Sequence, residues 1–289
     1  MENPDFMSIP ITDTHQHFIY SDKWPYSWAE GIPELAGKKF RLEEYQAATA
    51  GTGITRTIFM ETSPDDPHFH EETRFVRELS EQSGSTIAGI IANCRPEEKD
   101  GFEAYLDAIS HPKLVGLRRI LHVVPDELST TPHFVENIRL LGRRGLTFDM
   151  CFLARQLPLA MDLARKCPDV QFILDHCGVP DVAGQALDPW RDHIRELASI
   201  PNVACKISGV LAYAAPGHAT VSAVRPFVEH CLEHFGWDRV VWGGDWPVCN
   251  MTSSIAEWVA VSRELVSGAA TDDQEKLFHR NAETIYGIP

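Results

Sequence analysis

The 289-residue chain carries 26 Lys and Arg against 41 Asp and Glu, a formal net charge of −15. That balance excludes a broad nucleic-acid or anionic-membrane surface, so an anionic ligand would need a local basic pocket. With 44% hydrophobic and 23% charged residues and 19 each of Gly and Pro, the chain is not collagen-like, coiled-coil or disordered, and its length suits one α/β barrel.

Short apolar runs rich in β-branched residues recur in chain order at 11–17, 55–61, 86–94, 113–121, 146–152, 170–176, 203–209 and 239–245. Helix-patterned stretches separate them at 42–51, 68–83, 101–110, 133–144, 155–167, 189–199, 220–235 and 253–267, with a last one at 272–285. Alternating strand and helix implies parallel strands with crossover helices, and eight such units predict a (β/α)₈ TIM barrel. A dinucleotide-binding sheet would place a Gly-rich loop after its first strand, but FIYSDKWPYSW stands there instead. No composition break or internal repeat divides the chain, which predicts a single domain over 1–289 with a long loop from about 18 to 40 over the barrel mouth.

No run of about 18 apolar residues exists, and MENPDFMSIP lacks the basic start and apolar stretch of a signal peptide. The seven cysteines, at 94, 151, 167, 177, 205, 231 and 249, include no CxxC pair, so reduced, buried thiols in a cytoplasmic protein are expected. The expected partner is a small-molecule substrate, not nucleic acid or a membrane, with homo-oligomerisation left open.

The first strand, ITDTHQHF, spaces His15 and His17 two apart, which on a strand turns both imidazoles to one face. The sixth, QFILDHCG, ends at His176, and the eighth, RVVWGGDWP, ends at Asp245. Strand ends converge on the catalytic mouth of a barrel, and three imidazoles with one carboxylate suit zinc or a similar divalent ion with an open position for water. An isolated HxH, or one His at a strand end, is ordinary core polarity; their fall at the ends of three independently assigned strands is what marks a site.

In KLVGLRRILHV, alternation puts Gly116, Arg118, Ile120 and His122 on one face and Arg119 on the other. Arg118 is expected inside, where it would orient a carbonyl or bind a carboxylate. Further substrate contacts are expected from Glu61, Lys206, Trp28 and Trp246, with Trp24 and Tyr26 contributing to an aromatic wall. Asp149 and Lys206 have a structural ion pair as their alternative. Cys177 and Cys249 are expected to be structural.

THQHF, VGLR, FILDHCGVPD, VACKISGV, FGWDRVVWGGDWPV and RNAETIYGI resemble, in order and spacing, the amidohydrolase superfamily, in particular its lactonase-rich amidohydrolase 2 branch. The resemblance spans about 9–287. It implies a hydrolase opening a small lactone, a sugar-acid lactone or a muconolactone-like one, to its hydroxy acid, with a metal-dependent decarboxylase as the alternative. It assigns Asp245 as general base on the hydrolytic water. His15, His17 and His176 then either bind one divalent metal, zinc by preference, or polarise the carbonyl in a metal-independent site.

Overall fold

The computed structural model describes residues 9–289. Its strands are β1 (Ile11–Gln16), β2 (Ile54–Met60), β3 (Ile87–Asn93), β4 (Leu114–Ile120), β5 (Thr147–Cys151), β6 (Phe172–Leu174), β7 (Val203–Ile207) and β8 (Val240–Trp242). Each pairs in parallel with the next, and a parallel bridge from Gln16 to Trp246 brings the first and last strands together into a nearly closed barrel. This is the expected (β/α)₈ architecture.

The helices are α1 (Ser27–Glu30), α2 (Leu42–Thr49), α3 (Phe69–Glu81), α4 (Phe102–Ile109), α5 (Pro132–Arg143), α6 (Leu157–Lys166), α7 (Trp190–Ala198), α8 (Val221–Phe235), α9 (Ile255–Leu265), α10 (Thr271–Glu275) and α11 (Asn281–Tyr286). A π turn at Lys276–Arg280 joins the last two. α5 shows why they form. Pro132 occupies its first position, where no backbone donor is needed, and Phe134, Val135, Ile138 and Leu141 recur on one buried stripe. Among the described residues no helix is long and apolar enough to cross a membrane.

The strands are shorter than their apolar runs suggest. β6 and β8 keep three residues each, because the backbone leaves the ladder ahead of His176 and Asp245, both at φ +55°. His17, His176 and Asp245 therefore stand beyond strand ends, where their side chains reach the mouth. The 18–40 loop contains α1, which no periodicity announced.

Two apolar layers result. One lies between barrel and helices; the other fills the barrel with Ile58, Met60, Ile91, Val115, Ile173, Ala204 and Val241, plugged by Ala282, Tyr286 and Ile288 of the C-terminal segment. Above this plug lies a polar floor. Lys206, fully enclosed, pairs with Asp149 and with Asp175 at 3.1 Å, while the Tyr286 hydroxyl donates to Asp149 at 3.0 Å. Lys206 is thus not at the substrate surface where sequence placed it; the structural ion pair is what forms. Burial disfavours both charges, but the two carboxylates hold the ammonium charged, and Lys206, then His15, hold Asp175 well below the ordinary carboxylate range.

Removing one member of such a network strands the others without water. Lys206→Met is expected to lower the unfolding free energy by about 3–5 kcal/mol in urea denaturation. A loss below about 1 kcal/mol would show that Asp149 and Asp175 are accommodated without it.

Candidate active site

His15 lies on β1 and His17 one residue beyond it, both buried. Carbonyl oxygens only accept, so the contacts of His17 Nδ1 with the backbone oxygens of Met60 (3.1 Å) and Glu61 (3.0 Å) place its proton on Nδ1. Donors flank both nitrogens of His15, with Arg118 Nη1 3.3 Å from Nε2 and Lys206 Nζ 3.4 Å from Nδ1, while Asp175 Oδ1 stands 3.4 Å from Nδ1. His15 Nε2 and His17 Nε2 face each other 3.1 Å apart, with Asp245 Oδ1 3.6 Å from each. Two neutral imidazoles and a carboxylate aimed at a common point are a donor set that one divalent cation fits.

His176 stands on the other side of the carboxylate, with Nδ1 3.0 Å from Ser208 Oγ and 3.8 Å from Asp245 Oδ2. It also forms a second group of donors with His15 and Asp175. The expected three-His, one-Asp constellation is therefore assembled, with His15, His17 and Asp245 converging as one subset. Burial keeps all three imidazoles neutral: His15 falls well below its ordinary value, His17 to about 3, and His176 is lowered too. Burial raises Asp245 to about 6 against the opposing pull of His176 and Arg118.

Supporting residues fix this geometry. Asp13 Oδ1 accepts from the backbone N–H groups of Gly244 (2.7 Å) and His15 (3.0 Å), and its Oδ2 accepts from the Tyr45 hydroxyl (2.7 Å), clamping β1 to the turn that carries Asp245. Arg118 points inward as expected, donating from Nε to Glu61 Oε1 (2.7 Å) and from Nη2 to the Glu61 carbonyl (2.8 Å). Arg119 points outward to Glu97 at 2.6 Å.

Other expectations need correcting. Glu61 is fully enclosed, held also by Asn93 Nδ2 at 2.7 Å, so it positions Arg118 and does not face substrate. Trp246 packs behind the site on Phe40 and Tyr45. Trp24 is buried in its loop, its indole N–H on Glu71, and Tyr26 is buried as well. Trp28 does line the cavity, anchored by its indole N–H to the Thr62 carbonyl at 2.9 Å. Cys177 and Cys249 are buried free thiols.

The cavity measures about 190 Å³. His17, Arg118, His176 and Asp245 supply its reactive side; Thr62, Ile120, His122, Cys151, Tyr213 and Val248 complete its wall with Trp28. Sequence reasoning missed Asp13, Asp175, Thr62 and Tyr213 as site residues. Asp175 was findable, because it continues the inward alternation of Ile173.

A barrel with imidazoles and a carboxylate converging at its C-terminal mouth has the form of a hydrolytic or lyase centre. The amidohydrolase family model matches residues 12–288, and the chain belongs to that family. The chain is 27% identical to an uncharacterized protein, y4mH, of Sinorhizobium fredii, covering 97% of this chain and 99% of that one. It is 26% identical to the L-fucono-1,5-lactonase of Burkholderia ambifaria, over 96% of this chain and 95% of that protein. Its fold matches a crystal structure of an amidohydrolase from Burkholderia multivorans with bound zinc at a TM-score of 0.88 and 23% identity, covering 97% of this chain and all of the other.

Gly209 lets two site groups approach the backbone. It sits at φ +67°, and a Cβ there would lie 2.5 Å from His176 Nδ1 and 2.8 Å from Asp245 Oδ2. Gly209→Ala is expected to lower catalytic efficiency at least about 100-fold by displacing these groups, while the fold, read by circular dichroism, persists. Activity within about twofold of wild type would show that neither group needs its observed place.

Proposed function

We propose that the protein hydrolyses a small, uncharged lactone to its hydroxy acid. The observation that carries this is the Asp245 carboxylate, buried beside three neutral imidazoles at the end of a cavity large enough for one sugar-sized ring. Water attacks the lactone carbonyl carbon as Asp245 takes its proton; the ring C–O bond then breaks, and the same proton passes to the departing ring oxygen. A carboxyl group whose pKa burial raises to about 6 is ionised at neutral pH yet basic enough for both transfers.

The tautomers limit who can stabilise the oxyanion. His17 presents an acceptor nitrogen and cannot donate to it, whereas Arg118 Nη1 is a donor that the chain itself offers. A divalent ion held by Nε2 of His15 and of His17 and by Asp245, zinc by the borderline character of the donors, would supply Lewis acidity at the carbonyl or the water.

Charge accounting supports a neutral substrate. Arg118 is the cationic side chain lining the cavity, and Glu61 at 2.7 Å and Asp175 at 3.6 Å already balance it. A substrate carboxylate would find no unpaired cationic side chain in this wall and would depend on the divalent ion for a counter-charge. The named lactonase relative points to the same chemistry.

Proton release in weak buffer, over five- and six-membered aldonolactones, tests this. Asp245→Asn is expected to cut turnover by about 10²–10⁴-fold with the fold intact; undiminished turnover would remove Asp245 from the reaction. Because the carboxylate form is needed, catalytic efficiency should fall as pH drops through about 6 and level off above it. A flat profile from pH 5 to 8 would contradict the general-base role. Chelation is expected to depress the rate at least about tenfold, with recovery on adding zinc, and His17→Ala should lower metal content by elemental analysis. Full activity in metal-free protein would leave Arg118 alone at the oxyanion.

A further inference from the structure

The helical layer carries a separate group of metal-ligating side chains, outside the cavity. On α8 the run His230, Cys231, Leu232, Glu233, His234 spaces two imidazoles four apart, one turn from each other on one face of the helix. Their ring centroids are 4.3 Å apart, and one donor atom from each of His230, Glu233 and His234 lies within 4.8 Å of the other two. Two imidazoles and a carboxylate fill three positions of a tetrahedral zinc ion and leave the fourth for water.

Spacing of this kind is common on helices; the setting of His230 is not. Its Nε2 lies 2.8 Å from the Arg191 carbonyl of α7, and a carbonyl only accepts, so Nε2 carries the proton and the lone pair sits on Nδ1. Ligating imidazoles are oriented in this way, with one nitrogen donating to a backbone carbonyl and the other left for the ion. Trp190 of α7 packs beside the same ring at 5.5 Å. Among the described residues His234 has no hydrogen-bond partner, so it offers a lone pair in either tautomer. The nearby Arg191 guanidinium is turned to Asp188 at 3.1 Å. The group also stands at the C-terminal end of α8, where the helix dipole favours a cation.

We propose that His230, Glu233 and His234 bind one borderline divalent cation, of the zinc class, at the surface of α8, and that this ion stabilises the fold without taking part in the reaction. Through His230 and the Arg191 carbonyl the ion braces α8 against α7. Because the folded helix is what brings the three ligands together, binding adds to stability by mass action. The assignment is independent of how the cavity is read.

Zinc titration of metal-free protein without a histidine tag, followed by calorimetry, tests this. Wild-type protein is expected to take up one zinc ion per chain more than His234→Ala, and the same difference should persist when His17→Ala is present in both, which separates this ion from one in the cavity. Glu233→Gln should weaken the surface ion at least about tenfold. Zinc at about 100 times its dissociation constant should raise the Tm of His17→Ala by about 4 °C more than that of the double variant His17→Ala/His234→Ala. Turnover by zinc-loaded His234→Ala should stay within about twofold of wild type. Equal zinc uptake by wild type and His234→Ala overturns the site. Loss of the ion with no difference in Tm, or with turnover falling alongside it, overturns the stabilising role.

Discussion

Asp175 is the group on which the interior arrangement turns. Its carboxylate lies 3.1 Å from Lys206, 3.4 Å from His15 Nδ1 and 3.6 Å from Arg118, without contact to solvent. It shares the Nδ1 edge of His15 with Lys206, whose Nζ lies 3.4 Å from the same nitrogen. The same carboxylate helps hold Arg118 inside, and Glu61 completes that grip. Around it, Asp13, Glu61, Asp149, Asp175 and Asp245 outnumber the cations Arg118 and Lys206. The surplus has to be relieved by protons or by an added cation, and burial accordingly raises Asp13, Asp149 and Asp245 to about 6. A site that concentrates negative charge beside unprotonated imidazoles is built to take up positive charge, which is what both a general base and a divalent-ion site require.

Holding these groups together costs backbone strain at the strand ends. His176, Cys177, Val179 and Asp245 all take positive φ, a conformation that L side chains rarely adopt. The strain has a visible return at His176. Alternation along β6 would send the residue after Asp175 outward; the left-handed turn brings its imidazole to the cavity instead. Asp245 keeps the inward parity of Val241, and its turn sets depth instead of face. Gly209, packed against both, is the complement of that strain on the neighbouring strand.

This separation of face from depth explains what was legible in the sequence. Period-two alternation identified eight strands and put His15, His17 and Arg118 inside, because facing follows from parity alone. It also put Lys206 inside, which is true, but parity cannot tell the floor from the mouth; Lys206 lies on β7 itself, two residues short of Ser208, and meets carboxylates in place of substrate. Trp246 shares the outward parity of Trp242, so alternation applied through the strand end excludes it from the cavity, whereas its aromatic character alone suggested otherwise. The 18–40 loop offered no periodicity, and nothing local distinguishes Trp28, which reaches the cavity, from Trp24, which does not.

The same surplus of carboxylates separates the two chemistries that such a constellation could host. A decarboxylase must hold an anionic substrate in its ground state, and with Arg118 already shared among Glu61, Asp175 and His15 that anion would depend on the divalent ion alone for its counter-charge. Lactone hydrolysis begins with an uncharged ring and develops its oxyanion only as water adds, so the unfavourable encounter of charges is confined to the moment when the Asp245 proton is also available. Arg118 Nη1, at 3.3 Å from His15 and 3.6 Å from Asp175, is its loosest-held nitrogen, whereas Nε and Nη2 are fixed on Glu61. An arginine anchored by two nitrogens with the third only weakly engaged presents a donor where negative charge appears late, and stabilisation that is greater in the transition state than in the ground state is what accelerates a reaction.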